Sequence, residues 1–324
     1  MPTEIFAMKN KILEQIEKYD SILLFRHVYP DMDALGSQFG FASWLKDKYP
    51  SKTICCAGMD SDLQRKMGVS SLPIDDSIVS ESLGILLDAS TSARVDDQRF
   101  KDCAYTIRID HHVHTETFCD LEWIDDKASA TCEMLALWLK DHQMTLPFDC
   151  ANLLYSGLIA DNIRFTTKSV TANTFLAAQY LMQFGVDVIS CDQINFSSSW
   201  SDYQYETKVR SKAIRKDDFL YAILEQDDYV PLVQTFARAK EKVYALSGIE
   251  DITIWALFTR MDDGIHYSAS LRSRTIDIRD VAQKYHGGGH ACACGIKNLT
   301  LEQVEEIVLL LKERSRSLSI SVSV

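Results

Sequence analysis

The stretch Ser21-Ile22-Leu23-Leu24-Phe25, with His27, Asp31 and Asp33 close behind it, decides the fold of this chain. Short apolar runs of this kind are typical of strands buried inside a parallel sheet. In open α/β sheets, ligands bind beyond the carboxyl ends of the strands. The stretch therefore predicts a buried strand, a loop with metal-binding side chains and a helix that begins near Asp33.

Three further apolar runs are followed by residues of the same kind. Carboxylates and imidazoles bind divalent metal ions, and many hydrolytic enzymes use a pair of such ions. The pattern predicts that all four runs deliver these residues to one edge of one sheet as a two-metal hydrolytic site. The further runs and the residues after them are 83–87 with Asp88, 104–109 with Asp110, His111 and His112, and 153–160 with Asp161.

Each motif taken alone also allows a structural interpretation. Asp31 and Asp33 could cap the following helix, with His27 in a solvated loop. Asp88 could be a turn residue. The run Asp110-His111-His112 is harder to explain in this way, because two adjacent imidazoles after an apolar strand are costly to bury without partners. Together the four motifs favour a metal site.

The length of 324 residues and the alternation of predicted strands and helices indicate two α/β domains. We expect a doubly wound, mainly parallel catalytic domain at 1–190, a linker at 191–215 and a smaller α/β substrate-binding domain at 216–324. The predicted strands lie at 21–25, 52–56, 83–87, 104–109, 121–124, 218–225, 253–260 and 265–272, and the predicted helices at 9–19, 33–48, 59–69, 129–142, 150–160, 171–184, 203–214, 278–285 and 301–314.

Composition and charge limit the possible partners. A formal net charge of -12 argues against a protein that coats long nucleic acid, because such proteins usually carry a basic face. No apolar stretch is long enough to span a bilayer, and the first residues lack the apolar core of a signal peptide. Nine cysteines without a CxxC pair indicate reduced thiols. We therefore expect a cytoplasmic protein with no membrane partner.

The motifs resemble those of the DHH phosphoesterases, from about residue 22 to residue 295. The resemblance is greatest to the branch that contains nanoRNase/pAp phosphatase and the enzymes that split linear or cyclic di-adenylates. Its four N-terminal motifs are matched by His27-Val28-Tyr29-Pro30-Asp31-Met32-Asp33-Ala34-Leu35-Gly36-Ser37, by Asp88, by Asp110-His111-His112 and by Gly157-Leu158-Ile159-Ala160-Asp161.

This resemblance implies two divalent ions, expected to be Mn²⁺, although Mg²⁺ or Co²⁺ would suit the same ligands. It gives His112 a catalytic role facing the substrate, and it gives Asp110 the role of orienting an imidazole. Two ligand sets would share Asp88 as a bridge. The first set is His27, Asp31 and Asp88, and the second is Asp33, Asp88, His111 and Asp161.

The second domain resembles the family's substrate-binding domain. Three successive glycines permit a backbone in which N–H groups converge on an anion, or simply a flexible turn between a helix and a strand. Arg272 with His290 could grip a phosphate, whereas Arg274 could be an exposed charge at a sheet edge. The expected substrate-binding residues are Arg272, Ser273, Arg274, Gly287, Gly288, Gly289 and His290.

The chain departs from the family pattern in three places. Asn162-Ile163-Arg164-Phe165 follows Asp161 where the branch usually has Thr-Gly and then Arg or Lys with Phe. Val113-His114 replaces a Pro-Asn or similar pair, and His286 stands where a further glycine is common. We expect these changes to affect substrate contacts and not metal ligands. Arg108 could point toward a substrate phosphate or lie at the surface.

The sequence therefore predicts a metal-dependent phosphodiesterase that acts on very short oligonucleotides or dinucleotides, such as nanoRNA or pApA, with a homodimer as a possible assembly. Two alternatives stay open: a phosphatase of 3′-phosphoadenosine 5′-phosphate, and a nucleotide-binding sensor with weak catalysis. A pyrophosphatase or polyphosphatase would share the metal core. The second domain argues against that class, because pyrophosphate needs only a small positively charged pocket.

Overall fold

A computed structural model describes residues 2–232 and 234–319, which belong to two compact units, Met1–Ser197 and Ser198–Val324. The first unit contains a five-stranded, wholly parallel sheet with the order β2-β1-β3-β4-β5. This order is one of the two common doubly wound arrangements, so the expected fold class is confirmed. The strands are β1 (Ser21–Phe25), β2 (Thr53–Cys56), β3 (Leu83–Leu87), β4 (Tyr105–Asp110) and β5 (Leu121–Ile124).

Helices cover the sheet of the first unit. The longer ones were predicted from the apolar periodicity of the sequence, and their observed bounds differ from the expected ones mainly at the ends. The helices are α1 (Pro2–Lys18), α2 (Met32–Lys48), α3 (Asp62–Met67), α4 (Asp76–Val79), α5 (Thr131–Asp141), α6 (Phe148–Asp161), α7 (Ala172–Met182) and α8 (Val188–Phe196).

Both faces of β1 are buried, which explains why its sequence is apolar throughout. Ile22 and Leu24 pack into the main core, together with the long helices. Leu23 and Phe25 point the other way, into a smaller cluster that contains Phe100. Successive side chains of a strand alternate between the two faces of a sheet, so a strand that is covered on both sides needs apolar residues at every position.

The strand register brings the ends of β1, β3 and β4 to the same edge. Phe25 pairs with Leu86, and Leu87 pairs with Ile109. The residues that follow these three strands therefore enter one region at the carboxyl edge of the sheet, as the sequence predicted.

Asp161 reaches this region from a helix and not from a strand, because the fourth apolar run forms α6. Helices α2 and α6 pack closely at Gly157, where an added Cβ would lie 2.4 Å from the Cys132 Sγ and 3.1 Å from the Asp33 Cα. Only glycine permits this approach. The contact holds the end of α6, and so Asp161, beside the start of α2.

The second unit contains a six-stranded sheet with the order β10-β11-β9-β8-β7-β6. Only β7 and β8 are parallel, and the other neighbours are antiparallel. Its strands are β6 (Ile214–Lys216), β7 (Phe219–Leu224), β8 (Ile254–Arg260), β9 (Tyr267–Ser273), β10 (Gly288–His290) and β11 (Ala293–Leu299), and its helices are α9 (Trp200–Ser211), α10 (Gln226–Tyr229), α11 (Phe236–Glu241), α12 (Arg279–Lys284) and α13 (Leu301–Ser319).

One predicted helix of this unit is too long. The expected helix at 203–214 ends at Ser211, and Ile214–Lys216 forms an edge strand against β7. Asp217 has φ 58° at the turn between these strands. This turn reverses the chain so that Ile214–Lys216 pairs with β7, and that pairing takes up Ile214, which the sequence pattern had placed in a helix.

Among the described residues, no helix is both long enough and apolar enough to cross a lipid bilayer.

We predict that Gly157→Ala lowers the free energy of unfolding of the first unit by about 1–3 kcal/mol, because the new methyl group overpacks the contact between α2 and α6. Urea denaturation followed by circular dichroism measures the effect. Gly295→Ala is the control, because its added Cβ would lie 3.9 Å from the nearest atom. Equal stability of the two variants would contradict the close contact.

Candidate functional site

Among the described residues, three overlapping groups of possible metal ligands lie at the carboxyl edge of the parallel sheet. Within each group, the ligand atoms all lie within 4.8 Å of one another. Two groups consist of the predicted ligands, His27, Asp31 and Asp88 in the first and Asp33, His111 and Asp161 in the second. The third group, Asp88, His111 and His112, overlaps both. The structure thus brings together all six residues that the sequence proposed as metal ligands.

The imidazole of His27 is oriented by the backbone. Its Nδ1 donates to the carbonyl oxygen of Val28 at 2.7 Å, which leaves Nε2 toward the carboxylates. That nitrogen lies 3.4 Å from Asp88 and 3.7 Å from Asp31. Burial lowers the pKa of His27, but hydrogen bonds with Asp31 and Asp88 outweigh burial and raise this pKa to about 10. Asp31 also caps α2, so the capping and metal interpretations are compatible.

Asp33 is wholly buried and is held by the start of helix α5. One carboxylate oxygen accepts from the Thr131 amide at 2.7 Å, and the other accepts from the Cys132 amide at 2.9 Å. Burial raises the pKa of Asp33, and the charges of Asp88 and Asp161 raise it further. Sequence analysis missed Thr131 and Cys132 as supports. The only signal was the predicted start of a helix near residue 129.

Asp88 lies between the two groups. It follows β3 with φ 56°, a left-handed conformation that costs a non-glycine residue about 1–3 kcal/mol. Its carboxylate is 3.4 Å from the Nε2 of His27 and 3.5 Å from the Nε2 of His111, and it accepts from the Thr131 hydroxyl at 3.2 Å. This central position suits a carboxylate that bridges two ions.

His111 faces the carboxylates of the second group. Its Nε2 lies 3.2 Å from Asp161 and 3.9 Å from Asp33, while its Nδ1 is directed at the Ala128 carbonyl oxygen at 3.4 Å. Burial lowers the pKa of His111, but the hydrogen bond with Asp161 and the surrounding carboxylates raise it to about 10.

The donor set fits a pair of divalent cations. Burial raises the pKa of Asp161, and the charges of Asp88 and Asp31 add to this effect. Buried carboxylates that repel one another are stabilised when a cation lies between them. Oxygen and imidazole ligands suit ions such as Mn²⁺, Mg²⁺, Co²⁺ or Zn²⁺. The chemistry of these side chains therefore supports a dinuclear site.

Asp110 connects a buried arginine to a half-buried imidazole. One oxygen accepts from the Arg108 guanidinium at 2.5 Å, and the other accepts from the Nδ1 of His112 at 2.8 Å. Burial raises the pKa of Asp110, but hydrogen bonds from His112 and Arg108 overcome this and lower it to about 2. This bond uses the Nδ1 of His112 and leaves Nε2 as the second ring nitrogen.

Arg108 occupies neither of the positions expected for it. It is fully buried, and besides Asp110 it donates to the carbonyl oxygens of Ser90 and Glu116 at 3.0 and 2.9 Å. Arg108 and Asp110 are two residues apart on β4, so their side chains share a face. This arrangement makes Arg108 a support for Asp110 and not a substrate ligand.

The loop after Asp161 has an unusual backbone. Ile163, Arg164 and Phe165 have φ values of 48°, 56° and 63°, and each left-handed residue costs about 1–2 kcal/mol. The Arg164 guanidinium pairs with Asp192 at 2.5 Å. The Phe165 ring stacks on Phe175 with centroids 5.1 Å apart. These contacts offset the strain at Arg164 and Phe165.

A cavity of about 790 Å³ lies in the second unit beside the glycine-rich segment. Basic side chains are frequent among its lining residues, although the whole chain is acidic. The sequence-predicted residues that line it are Arg272, Gly287, Gly288, Gly289 and His290, and further basic residues in its wall are Lys240, His286 and Lys297.

Two residues predicted to bind substrate do not line this cavity. Ser273 is buried, and its hydroxyl donates to the Ile276 carbonyl oxygen at 2.5 Å. Arg274 is exposed and donates to the Ile249 carbonyl oxygen at 2.6 Å. Side chains alternate along β9, so Arg272 faces the cavity and Ser273 faces the other way. Ser273 and Arg274 thus lie apart from the other five predicted residues, and their role in substrate binding stays a prediction.

The glycine segment forms a strand and not a turn of converging amides. Gly288–His290 pairs with β11. The Gly287 amide is already used, because it donates to the Ala282 carbonyl oxygen of α12 at 2.8 Å. Gly289 has φ 141°, and an added Cβ would lie 2.3 Å from the Ala293 carbonyl oxygen. Glycine is therefore required there by the hairpin itself.

The fold and the ligand cluster define an α/β protein with a candidate dinuclear metal centre, and comparison with known protein families is consistent with this class. Residues 21–158 match the N-terminal domain of the DHH family, and residues 233–316 match the DHHA1 domain. The chain belongs to the DHH family.

Two relatives are similar over nearly their whole length. A protein of Streptococcus mutans, named as a probable bifunctional oligoribonuclease and PAP phosphatase, is 31% identical over 302 residues, which are 93% of this chain and 97% of that protein. A Bacillus subtilis protein, named as a bifunctional oligoribonuclease and PAP phosphatase, is 30% identical over 93% of this chain and 96% of its own length.

A solved structure shares the fold. An exopolyphosphatase-related protein from Bacteroides fragilis superposes with a TM-score of 0.83 at 21% identity, over 96% of this chain and 97% of that chain.

We predict that Arg108→Leu lowers the free energy of unfolding by about 3–5 kcal/mol, because it leaves the Asp110 carboxylate buried without its cationic partner. Urea denaturation measures this loss. Arg65→Leu is the control, since its pair with Asp62 is exposed and contributes about 1 kcal/mol at most. A similar small effect for both variants would show that Asp110 does not depend on Arg108.

Proposed function

We propose that this chain is a Mn²⁺-dependent phosphodiesterase that hydrolyses very short oligonucleotides or dinucleotides, such as pApA, to mononucleotides. The observation that carries the proposal is the pair of ligand groups joined through Asp88. Nearly full-length similarity to proteins named as oligoribonucleases supports the choice of substrate class. The cytoplasm is the proposed location, in keeping with nine cysteines that are all free thiols.

Each of the two groups of predicted ligands would hold one ion. His27, Asp31 and Asp88 would hold the first, and Asp33, His111 and Asp161 would hold the second. Asp88 would also contribute to the second ion. Two bound ions would neutralise charge on the phosphate and lower the pKa of an attacking water. The amides of Thr131 and Cys132 hold Asp33 in place for this task.

His112 is the proposed catalytic side chain of the protein itself. Asp110 accepts from its Nδ1, which fixes the tautomer and directs Nε2 outward. The same bond raises the pKa of His112 and so favours the imidazolium form, which would donate from Nε2 a hydrogen bond to a phosphate oxygen or a proton to the leaving group. Arg108 fixes the second oxygen of Asp110, so the orientation of His112 depends on a buried ion pair.

The cavity of the second unit is proposed to bind an anionic group of the substrate. Arg272 is anchored to the Leu271 carbonyl oxygen at 2.9 Å, and burial lowers its pKa. Lys240, Lys297 and His290 add positive or hydrogen-bonding groups around the same space. A terminal phosphate would suit these residues.

A phosphatase activity on 3′-phosphoadenosine 5′-phosphate is a second candidate. Both relatives described above carry this activity in their names. The same ligand groups would serve either reaction, because both reactions displace an oxygen from phosphorus. AMP release from pApA and from 3′-phosphoadenosine 5′-phosphate, each with Mn²⁺ and with EDTA, ranks the two activities. Absence of turnover on both, with tight nucleotide binding, would favour a sensor.

We predict that Asp88→Ala lowers AMP release from pApA by several orders of magnitude, because the shared ligand of both ions is lost. Isothermal titration with Mn²⁺ should show a matching loss of metal affinity. Asp62→Ala, at an exposed helix position, should leave both measurements unchanged. Turnover of Asp88→Ala at the rate of the unsubstituted protein would refute the metal assignment.

We predict that His290→Ala raises the KM for pApA about tenfold with little change in Mn²⁺ affinity, because it removes one hydrogen-bonding partner of a phosphate in the cavity. Steady-state kinetics over a range of pApA concentrations measures this change. The control is His266→Ala, whose ring pairs locally with Asp263 at 2.7 Å. An unaltered KM for His290→Ala would make the hairpin purely structural.

A further inference from the structure

Two loops that contain proposed metal ligands also carry large apolar side chains on left-handed backbone. Tyr29, between His27 and Asp31, has φ 52° and is 95% exposed. Ile163, two residues after Asp161, has φ 48° and is 55% exposed. For a bulky or β-branched residue, this backbone region is a true outlier.

The folded chain gains little from these two side chains. Glycine or asparagine would adopt the same backbone at lower cost, and Pro30 restricts Tyr29 further because it follows directly. Burial could offset the strain, as stacking does for Phe165 on Phe175. Tyr29 is almost wholly exposed and Ile163 is more than half exposed, so side-chain burial offsets little of the strain at either position.

Val113 is a third exposed apolar residue beside the centre. It is 67% exposed and follows His112 directly. A segment of two residues spans at most about 7 Å, so the Cα atoms of Tyr29, Val113 and Ile163 all lie within that distance of a proposed site residue. Each of the three side chains therefore starts close to the polar centre, and apolar side chains beside a few polar groups are characteristic of ligand-binding sites.

We propose that Tyr29, Val113 and Ile163 form an apolar rim that contacts the nucleobases flanking the scissile phosphate. Bases stack on aromatic rings and pack against apolar side chains, whereas a phosphate chain without bases offers nothing to such a rim. The apolar rim thus selects nucleotides over inorganic phosphates and over sugar phosphates. This inference rests on the proposed function, because it assigns the rim to the substrate of that site.

The test compares pApA with an abasic analogue in which both bases are replaced by hydrogen. Tyr29→Asn and Ile163→Gly remove the side chains and keep the backbone, because asparagine and glycine tolerate positive φ. The expected result is a rise of about five- to tenfold in the KM for pApA, with kcat within about twofold, since each stacked base contributes on this scale. Kinetics on the abasic analogue stay unchanged, and thermal unfolding shows no loss of stability.

Two control variants test whether relief of backbone strain or loss of an exposed apolar side chain elsewhere changes the kinetics. Gln143→Gly relieves a left-handed residue, φ 54°, outside the site, and Ile189→Ala removes a side chain that is 70% exposed on α8. Both should leave the KM for pApA unchanged. The inference is overturned if neither rim variant changes the KM for pApA, or if activity on pApA and on the abasic analogue falls equally.

The experiment gives a different result if the proposed function is wrong. In that case the unsubstituted protein does not hydrolyse pApA with Mn²⁺, and the rim is judged by titration calorimetry with pApA and the abasic analogue. Tighter binding of pApA that is lost in Tyr29→Asn and Ile163→Gly supports the rim. Equal affinity for the two compounds refutes it.

Discussion

Repulsion among the carboxylates of the buried Asp33 and Asp88 and the half-buried Asp161 is the constraint on which the rest of the first unit depends. Carboxylates in a site of low polarity are unfavourable unless amides, imidazoles or cations compensate them. The start of α5 supplies amides, and His27 and His111 supply imidazoles. The compensation is incomplete, as the raised pKa values of Asp33 and Asp161 indicate. The uncompensated negative charge that disfavours the folded chain also favours the binding of divalent cations at this site.

Much of the fold could be predicted because its signals are local. Apolar runs gave the parallel strands, and the strand order followed the doubly wound arrangement that alternating strands and helices indicate. The prediction of secondary structure was wrong where contacts between distant residues determine the conformation. Ile214–Lys216 becomes a strand only because β7 lies beside it. The glycines before His290 allowed either an anion-binding backbone or a flexible turn, whereas Gly288–His290 forms a strand paired with β11, which no local pattern reveals.

The proposed ligands could be named from the sequence because each follows an apolar run, and the topology carries such residues to one edge. The residues that hold these ligands in place could not be named from the sequence. Thr131 and Cys132 act through backbone amides, which every residue has, so sequence carries no trace of the contact. The position of Arg108 could not be predicted, because a charged residue inside a strand can lie at the surface or in a buried ion pair. Only the structure shows that Asp110, on the same face of the strand, is its buried partner. The left-handed backbone at Ile163 was equally invisible, since that conformation is not typical of isoleucine.

The close packing of α2 against α6 has a consequence for how the protein is made. The ligand groups draw on residues from His27 to Asp161, and Asp161 takes its place only when α6 docks on α2 at Gly157. During synthesis, domains fold as their last structural elements emerge. A growing chain that has not yet released α6 from the ribosome therefore lacks one ligand and the helix that positions it. The full ligand set is therefore present only once the chain has been synthesised beyond Asp161, about half of its length.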